Sequence, residues 1–142
     1  MIRTQNAGLA LVALAAAFVG RQGDVAIFRV AALPPGAMLR KRECGRIVLA
    51  HGEVTGHAHA IREQSVAHFD APNATEAARQ LLASVGLTIE ITEHNAPSFL
   101  DVTVAATVQH EEHAALALDP GQYIVLRQRE WSDAEEPIQV LD

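Results

Sequence analysis

Three of the seven histidines fall in one run, Ala50-His51-Gly52-Glu53-Val54-Thr55-Gly56-His57-Ala58-His59-Ala60-Ile61. Residues two apart on a β-strand point to the same face, so His57 and His59 offer two imidazoles to one metal ion or one polar ligand. Neutral imidazoles suit divalent zinc, iron, manganese, nickel or copper. Glu63 shares their parity if the strand continues. The pattern H-x-H-x-x-x-E then supplies two nitrogens and a carboxylate with coordination positions left open. His51 is either a third nitrogen ligand or a supporting residue. The competing explanation is a polar strand face whose histidines hydrogen-bond nearby backbone.

A second cluster is His110-Glu111-Glu112-His113. On a helix His110 and His113 share a face; on a strand they do not, and a bend at Glu111-Glu112 is needed to turn one inward. Either glutamate is a candidate ligand, general base or orienting group. An exposed acidic corner before a turn explains the same residues. The spacing is one residue short of H-E-x-x-H, so the geometry of the zincin helix does not transfer. No phosphate loop, dinucleotide fingerprint or serine nucleophile motif is present. His68 and His94 lack a supporting pattern and are expected to be solvated. A metal at the histidines would activate water or a substrate oxygen; nothing in the spacing selects hydrolase, isomerase or oxygenase.

Strands must position these residues. Val25 to Val30 (VAIFRV) reads as a buried strand after a turn at Arg21-Gln22-Gly23-Asp24. Arg46 to Ala50 runs as a second strand into the histidine segment, with Gly52 and Gly56 as turn or bulge positions. His57 to Ile61 is a third strand and Ser65 to Phe69 a fourth. At Pro72 the period changes: Asn73 and Glu76 form a capping box for a helix over 73–86, with Leu81, Leu82 and Val85 as its apolar face and Gly86 at its end. Leu87 to Glu93 alternates strictly, as in a half-buried strand. Leu100 to Gln109 reads as one long strand ending at the second cluster, and Gln122 to Glu130 as the last. The tail, 131–142, is acidic and expected to be loosely packed or partner-facing. Gly8 to Gly20 (GLALVALAAAFVG) is uncharged and apolar, too short to span a bilayer, which takes roughly 20 residues. It is expected to be a helix or extension, with a secretory signal as the alternative.

The predicted fold is therefore mainly β with some helix (β-rich α+β): a small barrel or sandwich, one inserted helix and an N-terminal apolar helix. Residues 1–20 form the extension and 21–142 a single domain. With 142 residues and 49% apolar content, one domain with a real core is expected. The net charge of −6 and the short basic patch Arg40-Lys41-Arg42 give no electrostatic footprint for nucleic acid. The single cysteine, Cys44, excludes an intrachain disulfide and a cysteine-rich zinc site, and is read as an incidental thiol.

Several blocks resemble a group of uncharacterised proteins from bacteria and their mobile elements. They are Gln22-Gly23-Asp24-Val25, Leu49 to Ile61, His110-Glu111-Glu112-His113-Ala114, Leu118 to Tyr123 and Gln128-Arg129-Glu130-Trp131. The resemblance spans most of 22–131; residues 1–20 and 73–86 depart from it. It implies a bacterial cytoplasmic or virion-associated protein. Separately, His57-x-His59-x-x-x-Glu63 and the turn at Pro120-Gly121 are similar to the metal motifs of cupins, which are β-barrels. Cupins place a further histidine after that turn; Gln122 to Glu130 holds none, so His110 or His113 would substitute.

Two functions follow as expectations. The first is a metal or small-ligand site with His57, His59, His51, Glu63, His110 and His113 as metal ligands, holding a divalent ion such as Zn, Fe, Mn or Ni. The second is a non-catalytic assembly or virion module, homo-oligomeric through residues 1–20. Membrane association is left open only by that apolar segment.

Overall fold

A computed structural model of the protein describes residues 17–52, 56–71, 76, 79–80, 83, 96–127, 130–131 and 137–138. The described elements are all strands: β1 (Ala17–Gln22), β2 (Val25–Val30), β3 (Met38–Leu39), β4 (Ile47–His51), β5 (Ala58–Ile61), β6 (Val66–Asp70), β7 (Ser98–Val102), β8 (Ala106–Gln109), β9 (Leu116–Leu118), β10 (Gly121–Arg127), β11 (Glu130–Trp131) and β12 (Pro137–Ile138). They form a six-stranded sheet, β1-β2-β10-β7-β6-β3, a four-stranded sheet, β4-β5-β8-β9, and the small ribbon β11-β12. Every pairing is antiparallel.

The two larger sheets share one core. Val25, Ile27, Val66, Leu100, Val102, Tyr123 and Val125 of the first cluster with Ile47, Ala50, Ile61, Ala106, Val108 and Leu118 of the second. Full burial of one such aliphatic side chain is worth about 1.5–3 kcal/mol; period-2 alternation places them on the inward faces, helped in β4 by a register shift between Val48 and Ala50 that turns both Ile47 and Ala50 inward. Strand β2 is apolar from Val25 to Phe28 because both its faces are buried there: Ala26 and Phe28, on the face opposite Val25 and Ile27, are also enclosed, and only Arg29 is exposed. Where β1 approaches β9, Gly20 leaves room for Leu116: a Cβ there would stand 2.6 Å from Leu116 Cδ1, so a larger residue would make that side chain shift. Gly23, at φ 57°, closes the β1-β2 hairpin with Asp24, the positive angle a two-residue hairpin turn needs at its first position.

This architecture corrects several expectations. Among the described residues the sheets are open and close no barrel. The N-terminal apolar helix is not formed where it is described: Ala17 to Gly20 belong to β1, because Phe18 and Val19 extend a hairpin that Gly23 closes, and alternation in an alanine-rich stretch is hard to see. Residues 1–16 lie outside the described residues. The inserted helix is not an element of the described fold, whose elements are strands alone. Most of 72–86 lies outside the described residues, and the four described there, Glu76, Arg79, Gln80 and Ala83, have helical backbone without making up a described element. The expected strand 87–93 falls outside them too. The single strand 100–109 is two strands in different sheets, broken where Thr103 donates from both its N and Oγ1 to Ser65 O. Among the described residues no helix is long and apolar enough to cross a membrane.

Candidate functional site

The histidines meet at one end of the four-stranded sheet. His57 immediately precedes β5, and His59 lies within it. Strand β8 pairs with β5 through Ala60↔Gln109 and Ile61↔Val108, and its next residue is His110. The chain bends over 111–113, the bend that His110 and His113 need in order to reach the same place. The ring centroid of His110 lies 5.7 Å from His57, 4.4 Å from His59 and 4.7 Å from His113, and His113 stacks on His59 at 6.1 Å. Three imidazoles, His57, His59 and His113, thus gather around His110.

Within this group, ligand atoms of His57, His110 and Glu111 all lie within 4.8 Å of one another. Donors bonded to one ion at 2.0–2.2 Å stand at most about 4.4 Å apart, so small side-chain rotations complete such a set. Glu111 is held in place by its Oε1, which accepts from Ala58 N at 2.9 Å. That hydrogen bond, with one from its own backbone, holds the Glu111 carboxyl below the usual carboxylate range; the neighbouring His57 and His110 act in the same direction. A carboxylate that stays ionised is the form a metal takes. His110 Nδ1 accepts from Glu112 N at 3.0 Å, so metal capture through that nitrogen would exchange one hydrogen bond for a coordinate bond. Glu112 also faces His57, with Oε2 3.8 Å from Nδ1.

His59 is fully buried and is anchored by the β1-β2 hairpin. Gln22 Nε2 donates to Val108 O (3.1 Å) and Ala114 O (2.9 Å), and this fixes the amide so that its Oε1 faces His59 Nδ1 at 2.8 Å. Nδ1 must therefore donate, since an amide oxygen only accepts. Nε2 looks toward Asp24 Oδ1 at 3.6 Å, beyond hydrogen-bond distance, and that oxygen makes no hydrogen bond. Asp24 Oδ2 accepts from Arg127 Nε at 2.7 Å. Gln22, Asp24 and Arg127 were not foreseen from the sequence as site residues. The only signal for them was the Gln22-Gly23-Asp24 turn, which reads as a hairpin and hides that both of its polar side chains point at one histidine.

The other expected ligands stand elsewhere. His51 is exposed at the end of β4, its Nε2 3.2 Å from Glu43 Oε1. Glu63 lies beyond the opposite end of β5 from His57, where Arg42 Nη2 donates to its carbonyl. Strand β5 ends at Ile61, so the parity argument does not reach it. His68, expected to be solvated, is buried on β6 instead. Burial, then the charges of Arg40 and Arg42, push its pKa from 6.5 down to about 4.

Fold and site together define a mainly-β protein of two open sheets with a histidine- and glutamate-lined rim. The chain belongs to the family described as "Domain of unknown function (DUF8820)", whose profile matches residues 21–128, most of its length. No curated protein and no solved structure matches it, and the cupin resemblance finds no support among these comparisons.

Proposed function

We propose that the protein binds a divalent transition metal through His57, His110 and Glu111, with coordination positions left open to a small-molecule ligand. The observation that carries this reading is the approach of three donor atoms, two nitrogens and a carboxylate oxygen, to within 4.8 Å of one another. Two imidazoles and one carboxylate favour Zn, Fe, Mn or Ni over the hard cations that prefer all-oxygen shells. His59 and His113 adjoin the set and would orient its rings or widen its donor choice. A bound ion there would polarise an oxygen of whatever ligand completes its shell. Elemental analysis of untagged protein, after reconstitution and removal of free metal, tests the reading beside a His57→Ala/His110→Ala variant. One equivalent of metal in the wild type and none in the variant is expected; equal metal in both, or none in the wild type, would sink it.

A second reading, self-association, is supported by a different observation. The two edges of the six-stranded sheet, β1 and β3, carry exposed Phe18, Met38 and Leu39, the last 72% exposed. Apolar residues on open strand edges favour pairing with another chain. Light scattering of the wild type and a Leu39→Lys variant tests it: a multimer that the substitution dissociates supports association, and a monomeric wild type rejects it.

A further inference from the structure

Beside the proposed metal set lies a pocket of about 210 Å³ lined by Arg46, Ala58, Ala60, Arg62, Gln109, His110 and Glu111. We infer that this pocket takes a small oxyanion, a carboxylate or phosphate, gripped by Arg46 and Arg62 and presented to the ion at His57, His110 and Glu111; the inference rests on the metal reading for its second half. Its construction follows from the register of β4 and β5. The last registered pair at the end of β5 away from His57 is Ile47↔Ile61, so one step further Arg46 and Arg62 stand opposite each other and line the pocket from the end opposite the metal set. Ala58, Ala60 and Arg62 share parity along β5, and Gln109 is the registered partner of Ala60. Two small residues thus make a floor, and long polar side chains make the walls.

Like charges set opposite on neighbouring strands destabilise a sheet, and an arrangement of this kind calls for a compensating anion. Among the described residues, neither guanidinium makes a hydrogen bond or ion pair. A planar guanidinium fork fits a carboxylate or phosphate edge. The pocket has room for about seven water-sized groups, enough for a small anion and too little for a polymer. The one opposing charge in its lining is Glu111. A divalent ion bound there would more than offset that carboxylate, so metal and anion should strengthen each other's binding, reciprocally.

Titration calorimetry tests this with inorganic phosphate and, separately, oxalate. The samples are metal-free and zinc-loaded protein, free zinc having been removed, in the wild type and an Arg46→Gln/Arg62→Gln variant. The wild type is expected to bind at least one of the two anions, more tightly when zinc-loaded. The variant should bind it at least tenfold more weakly in both states while holding the same zinc. Whichever anion binds more tightly separates a phosphoryl from a carboxylate ligand. Absence of binding by both anions in both wild-type states overturns the proposal, as does equal binding by the variant. Zinc that leaves anion affinity unchanged overturns the placement of the anion at the ion. If the wild type takes up no zinc, the metal reading falls and the metal-free samples still decide the arginine pocket. Should the double variant fail to fold by circular dichroism, Arg62→Gln alone, at an exposed position, takes its place with the same expected outcome.

Discussion

His59 and His68 are both buried histidines on β-strands, 0% and 4% exposed, yet their surroundings differ in kind. His59 sits on β5 with an acceptor on one nitrogen, a carboxylate facing the other, and two further imidazoles against its ring. His68 sits on β6 with a buried Nε2 that makes no hydrogen bond and with two arginines that oppose its protonation. Burial costs each of them hydration; only at His59 do neighbouring groups supply a hydrogen-bond acceptor and further donor atoms. The difference teaches that an enclosed histidine marks a site when its nitrogens are given roles. One left to stay neutral is a packing residue.

The largest effect should come from taking a donor out of the rim. Structural zinc sites bind with about 10–16 kcal/mol over four ligands, so one ligand is worth roughly 2.5–4 kcal/mol. His110→Ala is expected to weaken zinc binding about a hundredfold or more, read by competition with a chromophoric chelator. His68→Phe should bind zinc as the wild type does. If the two substitutions weakened zinc alike, the contrast between the regions would be broken.

His68 should instead reveal itself through pH. The folded pKa is depressed to about 4 while the unfolded chain keeps about 6.5. On acidification the unfolded state binds the proton first, so stability contributed by the neutral ring is whole above about pH 6.5 and is lost as pH falls to about 4. The loss amounts to about 3 kcal/mol. Urea unfolding at pH 7 and pH 4 should show the wild type losing that much more stability than His68→Phe. Identical pH slopes would mean that the ring is hydrated in solution.

A smaller loss is expected at the hairpin that serves His59. Gln22→Ala removes the acceptor for Nδ1 and the donor to Val108 O and Ala114 O. Leaving buried polar groups without partners costs about 2 kcal/mol, and urea unfolding should show it. Gln64→Ala, which removes an exposed amide, serves as the control and should change stability little. A Gln22 variant as stable as the wild type would remove the distinction drawn between the two histidines.

Much of this contrast was legible in the residues, and its limits have physical reasons. The strands VAIFRV and the HAHAI segment stand out because alternation and β-branched content mark buried strands whatever their partners. The convergence of His57 with His110 was visible only as two separate clusters, since strand pairing across fifty residues leaves no local trace. His68 was misread because a lone histidine without a supporting pattern defaults to solvent, while its strand, Val66–Asp70, carries the ring on the same parity as core residue Val66. Asp24 and Gln22 were hidden by the strength of the turn signal around Gly23. Glu63 was drawn in by a parity that holds only while a strand lasts.

His51 gives the smallest expected effect and the sharpest check on reading sites from spacing. It belongs to the densest histidine run, yet it faces solvent at the end of β4 and pairs with Glu43. Exposed ion pairs contribute about 0–1 kcal/mol, and no other rim residue depends on this ring. His51→Ala should therefore bind zinc with wild-type stoichiometry and affinity, and unfold within about 0.5 kcal/mol of the wild type. Zinc lost in this variant would mean that the His51 ring takes part in holding the ion. His51 would then become a ligand, and the site would extend from β4 to the HEEH bend.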